Sequence, residues 1–307
     1  MTAATATESA PAQTSVAPPG PPRDRRARAS RRIGSILTGL AALIVFVASV
    51  FPVYWMVNTS FQPNAQVRGS QIHFWPDNGT LENYANIIAG DTRVPFLPAL
   101  GNSIAVSAIT VVVALMFAFL AALAVTRFRF RSGAAFIIAI LIVQMIPAEA
   151  MIISIFRLVD GWHLLNSVLG LSAVYIATVL PFTIWTLRGF INGVPADLEE
   201  AAMIDGLSRS GAFWRITFPL LAPGLVATGI FGFIQAWNEF VFALVLNPRP
   251  EAMTLPVWLR TFLDPNGGIN WAELMAASTL VAIPVVVFFL FVQRRMTGGL
   301  VAGAVKG

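Results

Sequence analysis

The sequence IGSILTGLAALIVFVASVFPVYWMV, residues 33–57, runs for 25 residues without a charged side chain. About 20 apolar residues in a helix span the hydrocarbon core of a bilayer, whereas the apolar core of a signal peptide has roughly 7 to 15. No clear cleavage site of small residues follows this block. Residues 33–57 are therefore predicted to form an uncleaved first transmembrane helix.

Five further apolar blocks of comparable length follow it along the chain: residues 99–125, 133–156, 168–187, 220–246 and 274–292. In lipid every backbone N–H and C=O must be paired inside the protein, so blocks of this length are expected to be helices and not open sheet. Only 11% of the 307 residues are charged, against roughly 25% in ordinary soluble domains. We predict an all-α integral membrane protein of six transmembrane helices, five of them in a core over residues 99–292.

The distribution of basic residues predicts the orientation of these helices. With the N-terminus inside, fifteen of the 20 Lys and Arg residues fall on the cytoplasmic side, as the positive-inside rule requires. Both termini are therefore expected to be cytoplasmic. Residues 1–32 are rich in Ala, Pro, Ser and Thr and then in Arg, a composition that predicts a disordered basic tail.

Two long segments are expected on the opposite side of the membrane. Residues 58–98 form an extracytoplasmic loop, and residues 247–273 form a second outer segment. Their tryptophans, Trp75, Trp258 and Trp271, are typical of loops at the membrane interface or at a docking surface. Both segments are predicted to be available to a partner protein.

Residues 195–219, PADLEEAAMIDGLSRSGAFWRITFP, connect the fourth and fifth predicted helices on the cytoplasmic side. Pro195 suits the first turn of a helix and Gly206 suits a left-handed helix stop, which predicts a short helix over residues 195–205. Ser208 or Ser210 would cap a second short helix that ends before Pro219. The segment is therefore predicted to be a helix-turn-helix elbow.

The first helix of this elbow has side chains spaced three to four residues apart on one face, namely Leu198, Ala201, Ala202 and Asp205. The small alanines would let another protein approach closely, so this face is predicted to be a docking surface. The alternative is an amphipathic helix that rests on the membrane surface.

The elbow carries Glu200-Ala201-Ala202, three residues, Gly206, nine residues and then Ile216-Thr217-Phe218-Pro219. This pattern resembles the E-A-A, x3, G, x9, I-x-L-P signature of ABC-importer permease subunits, with Phe218 in place of the usual Leu. The resemblance covers the chain from about Pro98 onward and implies the type I ABC importer permease fold. It also implies that the elbow is the coupling helix, seated in a cleft of an ATP-binding subunit through Glu199, Glu200, Ala201, Ala202, Asp205, Gly206, Ile216 and Pro219.

Two further stretches look like the second permease subunit of maltose-type carbohydrate importers. They are Ala236-Trp237-Asn238-Glu239-Phe240 and the glycine-rich ending of residues 293–307. By this resemblance residues 293–307 are a cytoplasmic tail that reaches between two ATPase subunits, with Gly298, Gly299, Gly303 and Lys306 as contacts.

The resemblance also implies the partners of the chain. They are a second permease subunit that completes a heterodimer, two ATP-binding subunits that carry ATP and magnesium, an extracytoplasmic substrate-binding protein and membrane lipid. The chain itself is expected to hold no cofactor or metal and to bind no nucleic acid.

Glu149 and Glu239 are the acidic residues predicted inside helices. An acid near the membrane centre costs about 2.5 to 3.5 kcal/mol unless it is paired or hydrated. Gln235, Asn238 and Glu239 lie at positions i, i+3 and i+4, so they are expected on one face of the fifth helix. That face would either line a sugar path beside Trp237 or form an interhelical hydrogen-bond cluster at the interface with the partner subunit.

A second polar cluster, Gln144, Pro147 and Glu149, lies in the third predicted helix. Because a proline removes a helix hydrogen bond, we expect a kink here that could serve gating. Alternatively, Glu149 is solvated near the outer membrane face. Gln144 and Glu149 join the fifth-helix residues as the candidate translocation path.

Several classes of enzyme are excluded by the residues that the chain lacks. Lys306 is the only lysine, so the chain has no lysine within a phosphate-binding G-x-x-x-x-G-K-[ST] loop. The absence of cysteine excludes a thiolate nucleophile, and both histidines lie outside the apolar blocks. The chain is therefore predicted not to be an enzyme.

The predicted function is that of one permease subunit of an ATP-driven importer in a bacterial plasma membrane. It would form half of the pathway for a sugar, of the di- or oligosaccharide class by family resemblance. Two alternatives stay open at this point. One is a self-sufficient ion- or proton-coupled carrier that uses Glu149 and Glu239, and the other is a membrane scaffold with no transport role.

Overall fold

The computed structural model describes residues 25–90, 94–128, 132–263 and 268–304 of the chain, and within these ranges it contains no β-strand. Five of the described helices are long and apolar enough to cross a membrane, and the number is six when one bent pair of helices is counted as a single span. This agrees with the six predicted spans. The α-helices are α1 (Arg25–Ser60), α2 (Asn64–Val67), α3 (Glu82–Ala89), α4 (Phe96–Arg127), α5 (Gly133–Gln144), α6 (Ile152–Gly161), α7 (Val168–Asn192), α8 (Asp197–Ile204), α9 (Arg209–Ala212), α10 (Phe218–Asn238), α11 (Val241–Leu246), α12 (Leu255–Leu259) and α13 (Trp271–Ala304).

The described residues form two compact units, one that ends at Val53 and one that begins at Tyr54. In the first unit, helix α1 begins at Arg25 and not at the predicted Ile33, so the arginines from Arg25 to Arg32 are helical. The prediction of a disordered tail is wrong for these residues, because a helix already formed by the apolar block extends through them. The rest of the predicted tail, residues 1–24, lies outside the described residues.

In the second unit, α4 is the helix around which α7 and α10 pack. Its buried residues include Ala114, Ala118 and Ala122, each no more than 1% exposed and spaced one helical turn apart. Small side chains along one face let neighbouring helices approach closely, which is how helices associate in a bilayer. Helices α7 and α10 meet similarly closely, since a Cβ added at Gly224 of α10 would lie 2.5 Å from the Phe190 ring.

The outer segments pack against the first turns of α4. Asn102 donates to the carbonyl oxygens of Glu251 and Met253 at 2.9 and 3.0 Å, and the Leu255 N–H donates to Ser103 Oγ at 2.7 Å. Trp258 is fully buried, and its Nε1 donates to the Val94 carbonyl at 2.8 Å. The assignment of Trp258 to an exposed interfacial surface is therefore wrong.

The other two tryptophans of the outer segments do face outward. Trp75 is 69% exposed and Trp271 is 43% exposed. Trp258 differs from them because it lies at the centre of a buried cluster with Phe96 and Phe262, at ring distances of 5.1 and 4.9 Å.

Two of the predicted spans are interrupted. The third consists of α5 followed by a 3₁₀ turn and α6, and the two halves meet at an angle of 77°. Pro147 lies at this bend with φ −60° and ψ 115°, so the predicted kink is confirmed. The fifth predicted helix does not continue to Leu246, because α10 ends at Asn238 and a separate short helix, α11, begins at Val241.

Candidate coupling site and intramembrane polar groups

The elbow has the helix-turn-helix form that the sequence predicts. Gly206 follows α8 with φ +94°, the left-handed conformation that favours glycine. Its N–H donates to the Met203 carbonyl at 3.1 Å, and the next N–H, of Leu207, donates to the Ala202 carbonyl at 3.0 Å. Ser208 then caps α9 by accepting a hydrogen bond of 3.1 Å from the Gly211 N–H. The turn is therefore closed by its own hydrogen bonds.

The second arm of the elbow does not end before Pro219, and that prediction is wrong. Residues Arg209–Asn238 form one continuous helical stretch of 30 residues. A single π-helical turn, Phe213–Thr217, lies in it, and there the Phe218 N–H donates five residues back to the Phe213 carbonyl. This change of hydrogen-bond register accommodates Pro219, which has no N–H to donate. The arm is thus a direct extension of the membrane helix α10.

The exposed face of α8 differs from the predicted one. Ala202 is only 8% exposed and packs toward the second arm, so it does not belong to a free surface. The exposed large apolar side chains are Leu198 at 42%, Met203 at 38% and Ile204 at 85%. Ala201, Glu200 and Asp205 are exposed as predicted, and Pro219 is exposed while Ile216 is half-buried.

Met203 and Ile204 are not part of the docking surface predicted from the sequence, because that prediction is based on the small residues of the elbow. With Gly206 as the helix stop, the sequence places Met203 and Ile204 in the last turn of the helix, two neighbouring large apolar residues in a segment of mostly polar and small residues.

Glu199 is not available to a partner in the way that the sequence predicts. Its Oε1 lies 3.2 Å from Nη2 of Arg127 at the end of α4. The same oxygen accepts a hydrogen bond of 2.7 Å from Thr217 Oγ1 in the π turn. Arg127 Nη2 also donates to the Val194 carbonyl at 3.3 Å, just before α8. No local pattern predicts that Arg127 and Thr217 are partners of Glu199, since both are distant from it along the chain.

Glu239 lies in the break between α10 and α11, where its backbone is extended with ψ 129°. Its carboxylate accepts hydrogen bonds from the Tyr175 hydroxyl of α7 and from the N–H groups of Phe242 and Ala243, the latter two at 2.8 and 3.1 Å. Tyr175 is 1% exposed. The carboxylate thus caps α11 and joins it to α7, an interhelical cluster within this chain.

The predicted face of Gln235, Asn238 and Glu239 is only partly present. Gln235 and Asn238 are exposed on the last turn of α10, whereas Glu239 turns away because the helix ends before it. Trp237 is 2% exposed and does not share the surface of the two amides. It stacks on Phe233 at 5.3 Å and lines an apolar cavity of about 420 Å³ between α4, α10 and α13.

The second predicted polar pair flanks the bend between α5 and α6. Gln144 is the last residue of α5, and Glu149 lies in the 3₁₀ turn after Pro147; both are exposed. Two residues beside this turn, Ala148 before Glu149 and Ile152 after Met151, are apolar. Both pack against the hydrophobic cluster that contains Phe242 and Ala243. The structure therefore brings the two helix breaks against one common cluster.

The predicted ATPase-contacting tail is described only in part. The backbone of Gly298, Gly299 and Gly303 belongs to α13, which extends to Ala304. Lys306 lies outside the described residues, and side-chain surroundings are described only as far as residue 293.

Comparison with known proteins identifies the family. Residues 114–298 match the family described as the inner membrane component of binding-protein-dependent transport systems. The diacetylchitobiose uptake system permease protein of Streptomyces coelicolor is 42% identical over 274 residues, which cover 89% of this chain and 98% of that protein. The trehalose/maltose transport system permease protein of Thermococcus litoralis is 35% identical over 272 residues, which cover 89% and 97%.

The fold is also found among solved structures. A chain from the crystal structure of a bacterial ABC transporter involved in the import of the acidic polysaccharide alginate superposes with a TM-score of 0.74. The match covers 86% of this chain and 97% of that chain, at 23% sequence identity. The permease fold inferred from the elbow motif is therefore confirmed.

These relatives are transport components and not enzymes, in agreement with the prediction from the sequence. The family match begins within α4 and ends within α13, so it includes the elbow and the membrane helices between them. The chain belongs to the family of inner membrane components of binding-protein-dependent transport systems, and it is an ABC-importer permease with several spans in the bacterial plasma membrane.

Proposed function

We propose that the chain forms half of the translocation pathway of an ATP-driven importer for a di- or oligosaccharide. The names of several relatives support this substrate class, because they specify diacetylchitobiose, trehalose/maltose and arabinooligosaccharides. The 42% identity to the diacetylchitobiose permease over nearly its whole length makes that disaccharide the first to test.

The second part of the proposal is that the elbow binds an ATP-hydrolysing subunit. The observation that carries it is the exposed apolar group of Leu198, Met203 and Ile204 on α8, a helix that is not one of the membrane spans. Met203 and Ile204 are neighbours at the end of this helix, and large apolar side chains exposed together on a polar loop mark a surface that a partner covers. Glu200, Ala201 and Asp205 would complete that contact, and Gly206 would hold its shape.

The remaining partners follow from membership in this family. A second permease subunit would complete the pathway, and two ATP-binding subunits would hold ATP and magnesium. A substrate-binding protein would dock on the outer segments; a bacterial alginate ABC transporter of similar fold has been crystallised in complex with an alginate-bound periplasmic protein. The tail residues Gly298, Gly299, Gly303 and Lys306 would contact the ATPase subunits.

Within the membrane, Gln235 and Asn238 are the proposed sugar contacts of this chain. Both residues are exposed, and a side-chain amide has two N–H donors and an acceptor oxygen. Asn238 Nδ2 donates to the Ile234 carbonyl at 2.8 Å, which leaves its second N–H and its oxygen for the hydroxyl groups of a sugar. Glu239 is occupied by three donors of its own chain, so it would position this turn and not bind the sugar. Gln144 and Glu149 would line the pathway at the bend of the third span.

The experiment that tests this function is uptake of radiolabelled diacetylchitobiose into proteoliposomes that contain the complete complex and the binding protein. We expect uptake that requires ATP inside the vesicles and continues when a protonophore collapses the proton gradient. Trehalose and maltose serve as competing sugars. Uptake driven by a proton gradient without ATP would contradict the proposal and favour a carrier that uses Glu149 and Glu239.

A further inference from the structure

We infer that Arg127, Glu199 and Thr217 form a latch that transmits movement of the elbow to helix α4. In this assignment Glu199 is a positioning residue and not part of the surface that meets the ATPase. The inference rests on the proposed coupling role of the elbow, and it adds the route by which the coupling enters the helix bundle.

The latch joins α8 directly to the end of α4 and to the π turn. One carboxylate oxygen of Glu199 in α8 pairs with Arg127 of α4 at 3.2 Å and accepts from Thr217 of the π turn at 2.7 Å. The same guanidinium nitrogen of Arg127 also donates to the Val194 carbonyl at 3.3 Å. The first arm of the elbow is thereby held at both its beginning and its middle.

The burial of these groups makes the latch stiff. The side chains of Arg127 and Glu199 are 17% and 18% exposed, and Thr217 is fully buried. An ion pair shielded from water is weakened less by salt than one at a surface, and a carboxylate that also accepts a hydroxyl bond has a fixed direction. The pair therefore differs from the exposed acids of the same helix, Asp197 and Glu200.

The position of Arg127 determines which helix the latch moves. Arg127 is the last residue of α4, and the first turns of that helix hold the outer segment through Asn102 and Ser103. A displacement of α8 therefore has a rigid path through α4 to the opposite end of the bundle. Phe119 of α4 adds a second contact near the latch, with ring distances of 6.2 and 6.1 Å to Phe213 and Phe218.

The second arm of the elbow already continues into α10, so the chain itself carries movement to that helix. The backbone does not connect α8 to α4 as directly as it connects the second arm to α10, because α5, α6 and α7 lie between them in the chain. The ion pair is thus the direct tie between α8 and the end of α4. Without it, α8 would keep its packing against the second arm, and movement would reach α4 only indirectly, through α10 and the Phe119 contacts.

The test is hydrogen–deuterium exchange of the complete complex in nanodiscs, with and without a non-hydrolysable ATP analogue. In the wild type we expect the analogue to change exchange at both α8 and the outer segments Glu82–Ala89 and Leu255–Leu259. The variant Glu199→Gln removes the charge and keeps an acceptor for Thr217. In this variant the change in exchange at the outer segments should be about tenfold smaller than in the wild type, a typical size for coupling between two sites. The change at α8 should persist.

Two further variants separate transmission from a loss of folding. Asp197→Asn removes the same charge from an exposed position of the same helix, and it should behave as the wild type does. The exchanged pair Arg127→Glu with Glu199→Arg should restore part of the outer response, because it forms the ion pair again and the Thr217 hydroxyl can accept a hydrogen bond from arginine, whereas the Val194 carbonyl loses its donor.

The outcomes distinguish this inference from the proposed function. If the ATPase co-purifies and Glu199→Gln responds at the outer segments as strongly as the wild type, the latch is overturned. A wild-type complex whose outer segments do not respond to the analogue overturns it as well. If no ATPase co-purifies with the wild type, the coupling role of the elbow itself fails.

Discussion

Glu239→Ala is expected to lower the free energy of unfolding by about 3 kcal/mol, because several donors lose their acceptor at once. The Tyr175 hydroxyl is buried beside α10, and the N–H groups of Phe242 and Ala243 point at the same carboxylate. Each buried donor left unpaired costs about 1 to 3 kcal/mol, although some will find other partners. The measurement is the thermal unfolding midpoint of the complex in detergent, followed by size-exclusion chromatography.

Gln235→Ala is the matched control for this prediction. Gln235 is a polar residue one turn earlier in α10, and it is exposed. Its loss should leave the unfolding midpoint close to that of the wild type. An unfolding midpoint for Glu239→Ala equal to that of Gln235→Ala would show that the carboxylate does not stabilise the helix break.

A double-mutant cycle with Tyr175→Phe sharpens the same prediction. Since the hydroxyl and the carboxylate are partners, removing both should destabilise the protein by less than the sum of the two single changes. Additive losses would mean that the two groups act independently.

Gly206→Pro is expected to abolish the association of the chain with its ATPase subunit. Gly206 has φ +94°, whereas proline is fixed near −65°, so the turn between the two arms of the elbow cannot form. A Cβ at this position would meet nothing within 4 Å, so any penalty of a substitution comes from the backbone and not from a clash. The amount of ATPase that co-purifies from solubilised membranes is the readout.

The graded control at this position is asparagine. Asparagine adopts the left-handed conformation more readily than other residues with a side chain, so Gly206→Asn should retain most of the associated ATPase. Gly206→Ala should lie between the two. If the proline variant retained as much ATPase as the wild type, the shape of the turn would have no part in the contact.

The spans and the elbow could be predicted because their signals are local. A block of about 20 apolar residues and a glycine after a short polar helix each report the structure of their own segment. The bend at Pro147 belongs to the same class, since one residue removes the hydrogen bond and restricts its neighbours.

The two features that the sequence did not reveal depend on distant residues. The sequence predicts one continuous helix through residues 235–246. The end of α10 at Asn238 is explained by the cap that Glu239 provides, with Tyr175 as its hydrogen-bond partner. The role of Glu199 likewise depends on Arg127, which is separated from it in the chain by helices α5, α6 and α7. No periodicity within one segment encodes such pairs.

The buried Ala202 and Trp258 illustrate a related limit. Small residues suit both an exposed docking surface and a tight internal contact, and tryptophan suits both a membrane interface and a core. Which surface each side chain covers depends on how the elements pack. For Trp258 the decisive partner is the Val94 carbonyl in the other outer segment.

The measurement that tests the central claim most directly is a pull-down of the ATPase subunit with Ile204→Asp. Ile204 is 85% exposed, so the change should leave the fold intact, while a charge in an apolar contact should cost about 2 kcal/mol, or about 30-fold in Kd. Ile88→Asp makes the same change at a 57% exposed position of α3 in the outer loop. The account predicts that Ile204→Asp loses the ATPase while the wild type and Ile88→Asp retain it; equal recovery from all three would contradict it.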